Sequence, residues 1–427
     1  MSSPIGTGPP GRQAGASLVS GTGDGRELPG FLSGFSYRGF RLLWIGAFLS
    51  SVGTWIQDVA LSWLIQTRMR DPFYLGLRTF MQELPLLSFM LIGGALADRI
   101  DRRRVLLGSQ IFQMSMAALL GILFVTNRLG ILPILAVAFV TGLAQSQSAP
   151  TYQAVITSLV PRERIPNAVA LNSLQFNLSR AIGPVVAGLL LAHVGTGACF
   201  AANALSFVAV IMALWTIEFP ALAAATPESL GESLRAGLRH VFGSPLLRTL
   251  TLLAGAASFL AFPLITYLPV IAGDVLKTGA SGYSLLLTSV GVGAIAGAVS
   301  TAHRGHAAGR GRLMLVAFAL FGVVTVGAAL SRWQYVSMAL LVGSGFALTT
   351  AFSTLNSLVQ EQAPEALRGR VLSIFHLAFR GGAPAGSLVA GALARWRGAP
   401  LVLAAYAALL LALAAVLRLH SRRLSAL

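Results

Sequence analysis

The amino-acid sequence predicts an all-α membrane protein in which twelve transmembrane helices form two pseudo-symmetric six-helix bundles. Three observations carry this prediction. Of the 427 residues, 55% are hydrophobic, and the mean hydropathy is +0.74, as is typical of bilayer-embedded chains. The apolar residues fall into separate runs of about 20 residues, the length that spans a bilayer core as a helix. The two halves of the chain also repeat each other at a spacing of 203 residues.

Glycine, proline and charged residues separate the apolar runs and set the predicted span boundaries. We predict spans near residues 39–65, 75–97, 105–126, 131–151, 168–193, 197–219, 247–272, 280–302, 312–330, 333–358, 371–394 and 398–419. The chain then divides into a disordered cytoplasmic tail at 1–37, an N-terminal bundle at 38–219, a cytoplasmic linker at 220–246, a C-terminal bundle at 247–420 and a cytoplasmic tail at 421–427. Within the linker, residues 228–242 have the pattern of an amphipathic helix on the membrane surface.

The strong positive charge is explained by topology. The formal net charge is +17, but most Lys and Arg residues lie in loops on one side of the predicted layout. This bias places both termini in the cytoplasm and argues against nucleic acid as a partner. The opposite side carries Arg68, Arg70, Arg78, Arg128, Lys277, Arg332, Arg395 and Arg397. Arg395 and Arg397 are an unexplained exception to the bias.

The sequence lacks the patterns of enzymes and metal proteins. Its one cysteine, Cys199, excludes an internal disulfide and a cysteine metal cluster. We find no His-Glu-x-x-His pattern, no nucleophile and base at helical spacing, and no glycine-lysine phosphate loop. We therefore expect no catalysis, no bound metal, no cofactor and no direct use of ATP.

The repeat relates the two halves without gaps. A shift of 203 residues superposes Pro161 on Pro364, Gly183 on Gly386 and Gly195 on Gly398. Duplicated six-helix units related by an axis along the membrane normal are found in carriers that bind substrate near the midplane, between the halves. The repeat therefore predicts a rocking, alternating-access carrier.

A charged hairpin between the second and third spans carries a family motif. Gly94, Asp98, Arg99, Arg102 and Arg103 match the pattern Gly-x-x-x-Asp-Arg-x-x-Arg-Arg, and in pattern and position the chain resembles the major facilitator superfamily. More narrowly, the segments 53–57, 160–184 and 244–248 resemble bacterial transmembrane secretion effectors and the siderophore and multidrug exporters. The resemblance implies secondary active export without specifying a substrate.

The hairpin also suggests a gating latch. Asp98 lies at the C-terminal end of the second span, where the helix dipole disfavours an anion, so a cation or another helix N-terminus should hold it. The eleventh span begins near Arg368 and Arg370 and offers both. The resemblance implies that such a contact opens during transport. The alternative is that these charges serve topology only.

Helix 5 contains a motif that resembles the antiporter motif of exporters. Gly183, Pro184 and Gly188 place a helix breaker beside small residues, so the helix can bend and approach a neighbour closely. The match is partial, because the family's paired glycines are Ala187 and Gly188 here and the spaced glycines before them are absent. Packing and gating both remain open as its role.

Ionisable and amide side chains within the spans are the candidate functional residues, since charge in hydrocarbon is costly. Asp58 and Glu83 are the candidates for proton coupling, with a structural ion pair as the alternative. The candidate substrate and cavity residues are Gln57, Gln82, Gln175, Arg180, His376 and Arg380. The acid and arginine that the resembled branch places around a proline in the fourth span are replaced by Ser148 and Tyr152.

The sequence therefore predicts a secondary active transporter, a proton-coupled exporter of small amphipathic molecules such as drug-like compounds or siderophores. The expected setting is the bacterial cytoplasmic membrane, with the lipid bilayer, a small-molecule substrate and protons as partners and a monomer as the working unit. Two alternatives stay open: a transporter-like sensor or scaffold without transport, and an importer of a small organic solute. Substrate identity, stoichiometry and direction are not fixed by the residues.

Overall fold

A computed structural model describes residues 30–97, 101–217, 219, 230–304 and 309–420, and these residues form long helices joined by short turns. The helices are α1 (Arg38–Met69), α2 (Phe73–Ala97), α3 (Arg102–Val125), α4 (Ile131–Ser158), α5 (Ile165–His193), α6 (Thr196–Thr216), α7 (Leu230–Gly243), α8 (Pro245–Ala261), α9 (Pro263–Val270), α10 (Gly279–Arg304), α11 (Arg310–Leu330), α12 (Gln334–Gln362), α13 (Arg368–Arg397) and α14 (Ala399–His420).

The helices match the predicted spans, with ends that differ by a few residues. Within the described residues, 10 helical segments are long and apolar enough to cross a membrane. The two other long helices, α2 and α13, have 25 and 30 residues, and at 1.5 Å per residue each exceeds the bilayer core of about 30 Å. The predicted fold class, an all-α protein of twelve spans, is confirmed.

The helix ends reproduce the 203-residue repeat. Helix α5 begins at Ile165 and α13 at Arg368, 203 positions later, and each follows a short 3₁₀ turn that a proline precedes. The turns that end these helices also correspond, because Gly195 and Gly398 both have positive φ values, 103° and 79°. Glycine adopts such angles without steric cost. The repeated sequence positions therefore mark repeated chain reversals.

The seventh span is the irregular one. Helix α8 starts at Pro245, after Ser244, whose hydroxyl accepts a bond from the Leu247 amide. The span then continues through α9 and a π-helical turn, Ile271–Val275. The amphipathic segment predicted at 228–242 is α7, and it packs against α8 and α13.

The end of the predicted N-terminal tail is ordered. Gly30–Ser36 form a 3₁₀ helix, in which the Gly34 amide donates to Asn167 Oδ1 at 2.9 Å and Ser33 Oγ accepts from Arg164 Nη1 at 3.1 Å. The prediction of disorder over 1–37 therefore differs from the structure at these residues, because contacts with distant parts of the chain hold them. The rest of that tail, the linker part at 220–229 and the tail at 421–427 lie outside the described residues.

The two halves meet along two helix pairs, α2 with α13 and α5 with α10. We call the side of the molecule where α1 begins and α14 ends the near side, and the side of the loop 70–72 the far side. At the far side the halves are in direct contact, since a Cβ at Gly391 of α13 would lie 3.0 Å from Phe73 Cα and 3.2 Å from the Pro72 carbonyl oxygen. The cavity described below is lined by helices of the first half, among them α2 and α5, and by α13 of the second half.

Candidate functional site

A cavity of about 890 Å³ lies between the halves. Most of its lining comes from the near-side halves of α1, α3, α4 and α5, and Arg380 of α13 contributes from the other half. Its polar lining residues are Ser50, Ser51, Thr54, Gln110, Gln113, Gln145, Ser146, Ser148, Tyr152, Gln153, Asn172, Ser173, Gln175, Asn177 and Arg380. Because these residues lie towards the near side and the halves touch at the far side, the cavity is open towards the near side.

The lining offers hydrogen-bonding groups beside apolar surfaces. Trp55, Leu86 and Phe176 supply apolar surface within the same cavity. Amide and hydroxyl groups can each donate and accept hydrogen bonds, and a concave site that combines such groups with aromatic surface suits a small organic molecule.

Two of the predicted cavity residues hold helices together. Gln175 is buried, and its amide nitrogen donates to the Ala47 carbonyl at 3.2 Å and to Ser51 Oγ at 2.9 Å. Gln57 Oε1 accepts from Asn203 Nδ2 at 2.9 Å. Both amides therefore tie α1 to its neighbours, Gln175 at the wall of the large cavity and Gln57 at a smaller pocket deeper in the first half.

Asp58 lies in that smaller pocket, paired with Arg78. Arg78 Nη1 donates to Ser62 Oγ at 3.2 Å, and Nη2 donates to Asp58 and, at 3.4 Å, to Gln82 Oε1. Arg78 is only 7% exposed. Arg78 therefore lies inside α2, within the predicted second span, where it neutralises the carboxylate on α1.

Glu83 lies apart from Asp58 and pairs across the halves. Its Oε2 accepts from Arg380 Nη2 at 3.3 Å, so a carboxylate of α2 meets a guanidinium of α13. The side chains of Arg380 and Glu83 are 42% and 29% exposed, and Arg380 lines the large cavity. Asp58 and Glu83 therefore lie at two separate sites, and each is paired with its own arginine.

His376 lies one helical turn before Arg380 and is exposed. Its ring contacts Phe375 at 5.3 Å between centroids. The structure gives His376 no hydrogen-bond partner among the described residues, and His376 is not among the residues that line the large cavity.

The latch residues are only partly described. Asp98 and Arg99 lie outside the described residues, and Gly94 is placed within α2. Arg103 Nη2 donates to the Trp215 carbonyl at 2.5 Å, which ties the start of α3 to the end of α6. Arg102 also lies in the first turn of α3, and Arg368 begins α13. The latch stays a prediction.

The linker helix α7 contacts the start of α13, which is the expected partner of the latch. Helix α7 crosses the start of α13, where a Cβ at Gly237 would lie 3.0 Å from the Arg370 carbonyl oxygen. The linker helix is therefore packed at the end of α13 to which the sequence assigned the latch.

The glycines of the helix 5 motif are close-contact positions. A Cβ at Gly183 would clash with Trp55 of α1, within the same half, whereas a Cβ at Gly188 would lie 2.7 Å from Ser284 Cβ of α10, in the other half. Pro184 lies inside α5 and is buried. The motif therefore packs α5 on both sides, and Gly188 contributes to the interface between halves.

The far-side contact contains a cluster that the sequence did not reveal. Arg395 of α13 donates to both carboxylate oxygens of Asp71, at 2.8 Å from Nε, and its guanidinium lies 4.5 Å from the Phe73 ring centroid. Nearby, Gln66 Nε2 donates to Asp274 Oδ2 at 2.9 Å. The hydrogen bond from Arg395 holds the pKa of Asp71 below its ordinary value.

We call Asp71, Arg395, Gln66 and Asp274 the far-side gate. Each of its two contacts joins one half to the other. The position of Arg395 against the charge bias was the one signal in the sequence, and its pairing with Asp71 explains that exception.

The sequence profile of transmembrane secretion effectors matches residues 30–426 of the chain. The chain is 24% identical to the staphyloferrin A transporter of Staphylococcus aureus over 350 residues, 80% of this chain and 86% of the relative. It is 28% identical to the enterobactin exporter EntS of Shigella flexneri over 352 residues, 79% of this chain and 80% of the relative.

Solved transporter structures share the fold. A bacterial homologue of the human lysosomal transporter Spinster gives a TM-score of 0.71 at 14% identity, covering 91% of this chain and 97% of that one. The nucleoside transporter NupG gives 0.72 at 14% identity, covering 89% and 98%. The chain thus belongs to the transmembrane secretion effector family of the major facilitator superfamily, as a multi-pass secondary transporter of the bacterial inner membrane that exports small molecules and is not an enzyme.

Proposed function

We propose that the chain is a proton-coupled exporter of siderophore-like amphipathic molecules. The observation that carries this proposal is the cavity of about 890 Å³ between the halves, which is rich in amides and hydroxyls and open at one side only. Two relatives are named as transporters of siderophores, one of staphyloferrin A and one of enterobactin. Each of these relatives matches about four-fifths of this chain. A siderophore-sized molecule with many hydrogen-bonding groups suits this lining.

We propose further that the near side faces the cytoplasm and that the chain works as a monomer. The arginines of the near-side segments, among them Arg102, Arg103, Arg368 and Arg370, support this orientation under the positive-inside rule. The cavity then receives substrate from the cytoplasm, and rocking of the halves about it exposes the substrate at the far side.

Asp58 is the proposed coupling residue. Its carboxylate is bound to Arg78, Arg78 is buried, and the pair lies in the pocket behind the large cavity. Protonation of Asp58 would leave Arg78 without its counter-ion, which is costly at this depth. A proton on Asp58 would therefore change the relative stability of conformations that bury or expose this pair.

Glu83 offers a second protonatable carboxyl on the boundary between the halves. It is the weaker coupling candidate, because it and its partner Arg380 are both more exposed than Arg78.

Transport into everted membrane vesicles tests the proposal. We expect labelled enterobactin or staphyloferrin A to accumulate in wild-type vesicles when the lumen is acidified, and accumulation to fall about ten-fold when a protonophore removes the gradient. Asp58→Asn should abolish the gradient dependence, whereas Glu361→Gln, which alters a near-side pair with Arg310, should preserve it. Accumulation that is equal with and without the gradient would refute coupling, and no accumulation of either molecule would refute the substrate class.

A further inference from the structure

Arg180 lies on the side of helix α5 that faces the cavity, and no carboxylate among the described residues pairs with it. On helix α5, Asn172, Ser173, Phe176 and Asn177 line the cavity. At 100° per residue, position 180 falls in the middle of the arc that these four residues span. Within the described part of the chain, Arg180 takes part in no ion pair and no hydrogen bond, whereas Arg78 and Arg380 each bind a carboxylate. A guanidinium within a membrane-spanning bundle calls for an anionic partner.

Arg380 lies at a similar depth in the other half. It is 12 positions into α13, and Arg180 is 15 positions into α5. Both helices start at the near side, so a rise of 1.5 Å per residue puts the two residues within roughly 5 Å of each other in depth. Arg380 lines the cavity with a side chain that is 42% exposed. Each half therefore carries one arginine at a similar depth, Arg380 in the cavity lining and Arg180 on the face of α5 that is turned towards the cavity.

The bond that holds Arg380 leaves much of its guanidinium available. The single contact with Glu83 is 3.3 Å long, whereas charge-assisted bonds of this type are commonly about 2.7–2.9 Å. A guanidinium carries five N–H donors and binds carboxylates best in a bidentate manner. An anionic oxygen from a ligand can therefore compete with Glu83 for Arg380.

The described residues that line the cavity include no Asp or Glu. Apart from Arg380, its polar groups are neutral amides and hydroxyls, which do not repel an anion. The cavity therefore favours negative charge, with Glu83 at its boundary as the only carboxylate bound to a lining residue in the described structure.

We infer that Arg180 and Arg380 form a two-point anion site for a polyanionic, oxygen-rich substrate, and that Glu83 occupies Arg380 when the cavity is empty. This inference rests on the proposed function and narrows its substrate class. A carboxylate or catecholate group of the substrate binds Arg180, and a second one displaces Glu83 from Arg380. The substrate thus bridges the halves, because Arg180 and Arg380 belong to different bundles.

Calcein, a fluorescent polycarboxylate chelator, is a suitable probe for purified protein in nanodiscs. We expect its fluorescence anisotropy to rise on binding wild type, and Arg180→Gln or Arg380→Gln to weaken binding about ten-fold or more, as loss of a charged hydrogen bond implies. Glu83→Gln removes the competitor and should tighten binding several-fold. Arg248→Gln, at an exposed near-side arginine, should leave binding unchanged. The neutral acetoxymethyl ester of calcein should not displace the bound anion.

Arg180→Lys and Arg380→Lys are controls for misfolding of the glutamine variants. They keep the positive charge and should retain part of the affinity for calcein. The inference is overturned if wild type does not bind calcein, if the glutamine variants bind it as wild type does, or if Glu83→Gln weakens binding. Siderophore export that persists at the wild-type rate in the glutamine variants would overturn the anion site and leave the proposed function standing. Calcein binding that depends on the two arginines, without any siderophore export, would overturn the proposed function and leave the anion site standing.

Discussion

Four of the charges inside the helices form two ion pairs, and this pairing decides which of the four can be altered safely. Arg78 binds Asp58 within the first half, and Arg380 binds Glu83 across the halves. The sequence pointed to both acids, because carboxylates are rare in apolar spans. It did not identify Arg78 as the partner of Asp58, because it counted that arginine only among the charges of the opposite side. The pairing depends on how α1 and α2 pack against each other.

Removal of one partner of the Asp58 pair should be more harmful than removal of both. Arg78→Gln leaves an uncompensated carboxylate and should lower the free energy of unfolding by about 2 kcal/mol, somewhat less than for a fully buried pair, because Asp58 is partly exposed. The double variant Asp58→Asn with Arg78→Gln should recover much of this loss. Thermal unfolding in detergent measures both.

Arg310→Gln is the matched control, because its pair with Glu361 lies at the near side and should contribute less than about 1 kcal/mol. Equal unfolding temperatures for Arg78→Gln and Arg310→Gln would contradict the role given to Arg78.

The repeat-related helices α5 and α13 each have one glycine that faces their own half and one that faces the opposite half. Gly183 and its repeat partner Gly386 pack against α1 and α8 of their own halves, whereas Gly188 and its partner Gly391 pack against the opposite half. The sequence showed the repeat and the small residues. It left packing and gating open, because the neighbour of each glycine depends on how the two bundles meet. In the structure, one glycine of each helix packs within its own half and the other packs against the opposite half.

A larger side chain at the interface glycine should hold the far side open. Gly391→Leu would clash with the start of α2 and should shift the protein towards the far-side-open conformation. A Ser284→Cys reporter in a Cys199→Ala background should then react at least several-fold faster with an impermeant thiol reagent, since Ser284 is buried at the other interface contact. Gly108→Leu, at a position with open space around it, should not change labelling. Unchanged labelling in Gly391→Leu would contradict this assignment.

The whole molecule has a central cavity that is open at the near side and closed at the far side. The sequence was sufficient for the number of spans, their order and their repeat, because apolar length and turn residues are local signals. It was insufficient for the far-side gate, since Asp71 and Arg395 are 324 positions apart and carry no motif. Arg180 and Arg380 were recognised as intramembrane cations, but the pairing of Arg380 with Glu83 was not, because it depends on the approach of α2 to α13.

The gate makes the closed far side sensitive to acid. The pKa of Asp71 is lowered while Arg395 donates to it and returns to its ordinary value, near 4, when the halves separate. The pair thus stabilises closure fully above that ordinary value, and the stabilisation is lost as the pH falls through the lowered pKa.

We therefore expect the distance between spin labels at Arg128→Cys and Arg332→Cys, in the far-side loops of the two halves, to lengthen as the pH falls below about 4. Asp71→Asn should give the longer distance already at pH 7, with a few-fold change in population, as befits a partly exposed pair. A distance distribution that is the same in Asp71→Asn as in the parent at pH 7 would contradict the gate.

We expect substrate to enter this cavity from the near side and to leave when the far side opens. The most direct test is transport of labelled enterobactin into everted vesicles by the Cys199→Ala protein carrying Asp71→Cys and Arg395→Cys, with a cleavable bifunctional thiol reagent joining the two positions. The cross-linked protein should accumulate no enterobactin, and reduction of the cross-link should restore accumulation. Accumulation at an equal rate before and after reduction would contradict this transport route.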